Sequence, residues 1–180
     1  QGLFRQAIDR VFSLKGAGIV ITGTVSSGKI SLGDSVQLQP KGKIVKVRDI
    51  HANDQPAKIA RAGQRCALNI SGDIDKEDLH KGDWLLEPAA LEARDCFSAR
   101  CRLLTSSPVA LKHMSPVTLH IGARHLSAKI SFLENREANK RMQAGDERLV
   151  RFLLDEPVCC FNTENFLIRD DSESFTIGGG

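Results

Sequence analysis

The chain has no tyrosine and a single tryptophan, and eight phenylalanines supply the rest of its aromatic content. Single-strand-binding platforms stack bases on exposed rings, so this composition argues against that mode of nucleic-acid recognition. No apolar run approaches the roughly 20 residues that a membrane-spanning helix needs, and the opening residues do not read as a secretory leader. No membrane partner is expected. The five cysteines stand at 66, 96, 101, 159 and 160 with no Cys-x-x-Cys pair. An odd count with two neighbours side by side fits neither a disulfide framework nor a zinc site, and points to a reducing, cytoplasmic compartment. Catalytic patterns are missing too: there is no Gly-x-Ser-x-Gly elbow, and the histidines at 51, 80, 113, 120 and 125 lack metal-ligand spacing. His120 and His125 flank a Gly-Ala turn, which reads as a solvent-exposed hairpin. Asp73-Ile-Asp75-Lys-Glu77 begins like a calcium loop, but Asp78 stands where glycine is needed and Trp84 where the closing glutamate is needed. Neither a metal nor a catalytic residue is expected in this chain.

What the chain does have is glycine-punctuated β sequence. Lys15-Gly-Ala-Gly-Ile-Val-Ile-Thr-Gly-Thr-Val-Ser-Ser-Gly-Lys-Ile-Ser-Leu-Gly-Asp34 sets short β-branched runs between glycines. Glycine permits tight bends and close backbone approach, and Ile, Val and Thr suit a pleated surface. Gly23 to Lys29 also spells most of a phosphate-binding loop. That loop requires Ser or Thr after the lysine and a helix beyond it. Ile30 occupies the first place, and Gly33 interrupts any helix after one turn. The alternation of Ile19, Ile21 and Val25 with Val20, Thr22 and Thr24 predicts a half-buried strand, and Ser26-Ser27-Gly28-Lys29 the turn of a hairpin.

Further strands are predicted over 4–13, 35–38, 44–50, 65–70 and 81–86, with a loop at His51–Pro56 and one helical turn at Asp75–His80. Cys66, Leu68 and Ile70 should face inward, and Arg65, Ala67 and Asn69 outward. A second set follows at 97–104, 117–121, 127–133, 148–154 and 165–169. Residues 148–154 are apolar on both parities, as in a strand covered on both sides. Residues 135–145 hold a turn or short helix. Short strands at this spacing without a long amphipathic helix predict an all-β chain of two consecutive small antiparallel barrels. The boundaries are 1–88, a linker at 89–95, and 96–180. Both ends read as cut from a longer protein.

The net charge of +3 comes from residues 1–89, with 13 basic and 10 acidic side chains against 12 of each in 90–180. Lys41, Lys43, Lys46 and Arg48 place four cations in eight residues. They are either a solvated edge-protecting face or a phosphate-contacting patch.

The segment from Ile8 through the glycine pattern to Gly33-Asp34, with Gly63-Gln-Arg-Cys-Ala-Leu-Asn-Ile and Lys81-Gly-Asp-Trp-Leu, closely resembles the second domain of translational GTPases, the elongation factor Tu relatives. Ile8-Asp9-Arg10, His51-Ala-Asn-Asp-Gln-Pro56, and Leu119-His-Ile-Gly-Ala-Arg-His125 with Arg169-Asp…Thr176-Ile-Gly-Gly-Gly resemble the selenocysteine-specific elongation factors. The resemblance implies domains II and III of such a factor. Domain II would hold the selenocysteyl 3′ end and domain III the T arm, for delivery to the ribosome at recoded UGA codons. GTP and magnesium would belong to a GTPase domain absent from this chain, and the selenoprotein mRNA hairpin to C-terminal winged-helix domains, also absent. Asp9, Arg10 and Arg65 match the family's selenocysteyl-pocket residues, and Arg124 and His125 fall in its RNA-contacting part. Neighbours on a regular strand face opposite ways, so Asp9 and Arg10 share a pocket only if the strand ends or bulges between them. Two alternatives stay open: barrels of another elongation factor Tu-like GTPase, or a protein-interaction module that docks a GTPase domain.

Overall fold

A computed structural model describes residues 2–14, 18–88, 93–133, 141–162 and 164–180. The chain divides into two compact units, Gln1–Ala93 and Arg94–Gly180, and each holds its own apolar core.

The first unit contains β1 (Arg5–Ala7), β2 (Arg10–Leu14), β3 (Gly18–Ser27), β4 (Lys29–Ser31), β5 (Ser35–Gln39), β6 (Lys43–Ala52), β7 (Gln55–Ala57), β8 (Ile59–Arg61), β9 (Arg65–Ser71) and β10 (Trp84–Leu86). Six of these strands run antiparallel in the order β1-β10-β5-β6-β9-β3, and β1 pairs with β3 to close the ring. Ile21, Val25, Leu38, Val45, Ile50, Leu68 and Leu85 fill the interior. Each such side chain withdrawn from water contributes about 1.5–3 kcal/mol.

The strand expected over 4–13 is broken. Gln6 pairs with Val25, Arg10 with Thr22, and Ile8-Asp9 falls between the two segments. The Ile8 amide donates to the Asp83 carbonyl at 2.8 Å, whereas the Asp9 amide donates to the Thr22 carbonyl at 2.9 Å. The two successive amides thus bond to opposite sides, Ile8 toward the β10 side and Asp9 toward β3. Gly23 lies beneath this junction, where a Cβ would collide with the Ala7 carbonyl oxygen. Phe12 is 42% exposed, so it does not share the inward face of Phe4 and Ile8.

Two further expectations are corrected here. Gly28 does turn the chain, with φ of +69°, but β4 pairs with β8 and not with β3, so residues 26–29 do not form a hairpin turn. No helix follows, and the phosphate-loop reading fails on context. His51–Pro56 is not a loop. β6 runs to Ala52 and β7 pairs back onto it across Asn53 and Asp54, both left-handed with φ of 50° and 63°. Asparagine and aspartate tolerate that region better than other non-glycine residues, which suits a two-residue hairpin turn. A register shift between Val47 and Asp49 reverses the facing of β6 at its middle, so Val45, Val47 and Ile50 are all inward. The expected helical turn is a 3-10 turn at Lys76–Asp78.

The second unit contains β11 (Arg94–Leu103), β12 (Leu111–Lys112), β13 (Ser115–Ile121), β14 (Arg124–Phe132), β15 (Arg141–Met142), β16 (Glu147–Val158), β17 (Phe166–Arg169) and β18 (Thr176–Gly179). The barrel closes in the order β11-β16-β14-β13-β17-β18, with β11 pairing back to β18. The chain is therefore all-β with two closed six-stranded antiparallel barrels. Phe152 packs its ring 5.2 Å from both Phe97 and Phe166 at the centre of the second core. β16 is half-buried rather than covered on both sides: Val150, Phe152 and Leu154 face in, while Leu149 is 49% exposed. The last strand, β18, is glycine-rich and has no apolar alternation to announce it. Of the expected linker, residues 89–92 lie outside the described residues, and Arg94 and Asp95 already belong to β11. Of the expected turn at 135–145, residues 135–140 also lie outside them.

Candidate functional site

The outer face of the first barrel carries the densest polar arrangement around the expected pocket residues. β3 lies between β2 and β9, and its outward side chains are Val20, Thr22 and Thr24. Arg10 stands opposite Thr22, which stands opposite Ala67, and Ala67 stands opposite His51 on β6. Arg65 stands opposite Thr24, one step along. The alternation of β9 places Arg65 outward as its sequence pattern predicts, with Cys66 buried behind it.

Asp9 joins this face because of the strand break. The Thr22 hydroxyl donates to Asp9 Oδ1 at 2.5 Å, and the Arg65 guanidinium donates to Asp9 Oδ2 as an ion pair. Partial burial of the Asp9 carboxyl raises its pKa. The hydrogen bonds from Thr22 and Arg65, with the nearby charges of Arg65 and Arg10, outweigh that and hold it below the usual carboxylate value. The bond to Asp9 in turn raises the Arg65 pKa. Asp9 and Arg65 are thus in contact, and Arg10 lies within electrostatic reach on the same face.

Beneath Arg65 the barrel interior contains a polar pair. Gln6 is fully buried, and its Oε1 accepts from the Cys66 thiol at 3.3 Å. Burial pushes that thiol up to about 11, an effect that the nearby Arg65 charge opposes. Beside the Asp9–Arg65 pair lies a cleft of about 340 Å³ lined by Leu14, Val20, Asp49, His51, Asp54, Ala67 and Asn69. The walls are mainly apolar, and His51 Nε2 lies 3.6 Å from an Asp49 carboxylate oxygen. Thr22, Asp49 and Asn69 are not singled out by the sequence, although strand alternation marks Thr22 and Asn69 as outward.

The other basic residues are dispersed. Lys43 Nζ donates to Asp78 at 2.8 Å and Lys41 lies 3.9 Å from the same carboxylate, so both are drawn toward the 3-10 turn. Arg48 Nε donates to the Ser71 hydroxyl at 2.6 Å, and Lys46 is exposed on β6. In the second barrel Arg124 pairs with Glu156 at 2.8 Å and its side chain is only 16% exposed. His125 stacks on His120 with centroids 5.9 Å apart, across the turn that the sequence predicts. Among the described residues no group of three or more His, Cys, Asp or Glu side chains could hold a metal ion, and no helix is long and apolar enough to cross a membrane.

Comparison with known proteins agrees with this layout. Residues 18–86 match the family described as elongation factor Tu domain 2, and residues 98–180 match the family described as selenocysteine-specific elongation factor, beta-barrel domain. The chain is 37% identical over 179 residues to the selenocysteine-specific elongation factor of Escherichia coli (strain K12), covering 99% of this chain and 26% of that protein. It is 33% identical over 178 residues to that of Desulfomicrobium baculatum, covering 99% and 27%. A crystal structure of the bacterial selenocysteine-specific elongation factor EF-Sec superposes with a TM-score of 0.78 at 25% identity, covering 99% of this chain and 27% of that one. The chain spans about a quarter of the length of these relatives. With both barrels matched in order, the chain belongs to the selenocysteine-specific elongation factor family, its first barrel matching elongation factor Tu domain 2 and its second the family's β-barrel domain.

Proposed function

We propose that the first barrel holds the aminoacylated 3′ end of selenocysteyl-tRNA on its outer face, as part of a factor that delivers it to the ribosome. The observation that carries this reading is the Asp9–Arg65 pair at the strand break with Arg10 on the same face. A selenol is more acidic than a thiol, whose reference pKa is about 8.5, so bound selenocysteine is an anion at neutral pH. Arginine remains charged and offers five donors in a fixed fork, of which the bond to Asp9 uses only part. Arg10 and Arg65 together form a receptor for such an anion. Serine, carried by the same tRNA before conversion, is neutral and does not compensate for desolvating two guanidinium groups. The neighbouring cleft of about 340 Å³ sets apolar Leu14, Val20 and Ala67 beside the polar groups of Asp49, His51, Asp54 and Asn69, a mixture that suits the face and edge of a planar base, and we assign it to the end of the same RNA.

The second barrel, with Arg124 and His125 at one turn, is assigned to the T arm. GTP and magnesium binding, contact with the mRNA hairpin and cytoplasmic residence belong to this proposal for the whole factor. In the full-length factor, Arg65→Ala should weaken selenocysteyl-tRNA binding by roughly 10–100-fold, the cost of removing a charged hydrogen-bond partner. Seryl-tRNA binding should change far less. Equal losses for the two tRNAs, measured by equilibrium titration, would sink the pocket assignment.

A further inference from the structure

We propose that Thr22 is a positioning residue of the selenocysteyl pocket: its hydroxyl fixes the Asp9 carboxylate so that the free oxygen holds Arg65 in its ligand-facing orientation. This inference rests on the pocket reading above and deepens it. Asp9 and Arg65 are both partly solvent-exposed, with side-chain exposures of 33% and 53%. An isolated ion pair of that kind holds its geometry weakly, because water and side-chain entropy compete with it. Here Asp9 is gripped twice by one residue. Its amide donates to the Thr22 carbonyl at 2.9 Å, and its Oδ1 accepts from the Thr22 hydroxyl at 2.5 Å. Thr22 is itself held on both sides, paired with Arg10 on β2 and Ala67 on β9. It is β-branched, and its χ1 freedom is small.

Valine would satisfy the strand equally well, so the hydroxyl has no role in the sheet. What it does is spend one carboxylate oxygen and leave Oδ2 for Arg65. Asp9 with both oxygens engaged acts on the ligand through Arg65. The remaining guanidinium donors of Arg65 and the Arg10 side chain opposite Thr22 are then the groups that meet the anion.

The test compares Thr22→Val, Thr22→Ala and Thr22→Ser. The full-length factor is titrated with selenocysteyl-tRNA and seryl-tRNA, and the Asp9 carboxyl is titrated by NMR in the 180-residue chain. Loss of a hydrogen bond to a charged group predicts a roughly 10-fold fall in the selenocysteyl-over-seryl preference for Val and Ala. In both variants the Asp9 titration should move to higher pH. Thr22→Ser, which keeps the hydroxyl, should retain the preference within about 2-fold and the wild-type titration. Support requires both changes together. Unchanged preference, a fall in preference without a shift at Asp9, or equal losses in Ser and Val overturns the proposal. If the wild-type factor shows no preference, the pocket reading fails. The positioning role then falls with it, whereas a wild-type preference that the Val and Ala variants keep overturns the role of Thr22 alone.

Discussion

At the scale of single residues, Asp9 sets the electrostatics of the first barrel's outer face. Its pKa is lowered in the folded chain because bonds from Thr22 and Arg65 outweigh burial. A lowered carboxylate contributes stability that is complete above its unfolded value, near 3.8, and is lost as the pH falls through the lower folded value. Asp9→Asn should therefore flatten the acid limb of a urea-unfolding profile below the unfolded value near 3.8 and leave the neutral plateau little changed in shape. An unaltered acid limb would show that the pair contributes nothing to folding. Strand alternation was sufficient to read the outward facing of Arg65 from the sequence, because β9 is regular and half-buried. The shared face of Asp9 and Arg10 was not readable. It depends on the gap between β1 and β2, where the pairing with β10 ends while the pairing with β3 resumes, and no local propensity marks that gap. Gln6 is hidden for a similar reason: a polar residue at an inward position is accepted because Cys66, sixty positions away, donates to it.

At the scale of elements, the junction between β1 and β2 depends on Gly23. A side chain there meets the Ala7 carbonyl, which is backbone and cannot swing away. Gly23→Ala should destabilise the chain by about 3 kcal/mol, at the upper end of overpacking costs. It should also draw Asp9 away from Thr22, so chemical denaturation and the Asp9 titration should change together. Wild-type stability in this variant would mean that the two strand segments are not held as tightly as their register indicates. The sequence signals that worked at this scale were alternation and glycine punctuation. The ones that failed were local guesses at partners. Residues 26–29 look like a hairpin because Ser-Ser-Gly-Lys is good turn chemistry, yet β4 finds its partner in β8, about thirty residues on. His51–Pro56 looks like a loop because Asn and Asp break regular structure. Two left-handed residues in succession instead reverse the chain and keep the pairing intact. β16 looks doubly covered because Leu149 and Leu153 sit on its outer face.

At the scale of the whole molecule, two barrels follow from strand spacing and the absence of long helices, since short antiparallel strands remove their exposed edges by closing. The cores are separate, one built on Ile21, Leu38 and Leu68 and the other on Phe152, Leu119 and Ile130. Chains ending or starting at the Ala93–Arg94 division should each retain β-sheet circular dichroism and unfold cooperatively. Loss of structure by either half alone would show that it depends on the other. In the second half, Phe152→Ala should remove about 3–5 kcal/mol, as expected for an aromatic ring deleted from a filled core. In the 180-residue chain the same substitution should leave the unfolding transition of the first unit unaffected.

The double pairing of β1 also has a temporal meaning. Asp9 is made 56 residues before Arg65, and the ring is complete only once β10, which ends at Leu86, pairs with β1. Contacts so distant in sequence form late and slow the search for the folded state. A nascent chain stalled before Arg65 therefore carries an Asp9 carboxylate with no guanidinium to hold, and one stalled before Leu86 has an open ring. The Asp9–Arg65 pair is assembled across β3 and β9 rather than carried by any one segment, so its appearance marks the arrival of β9, before β10 completes the ring.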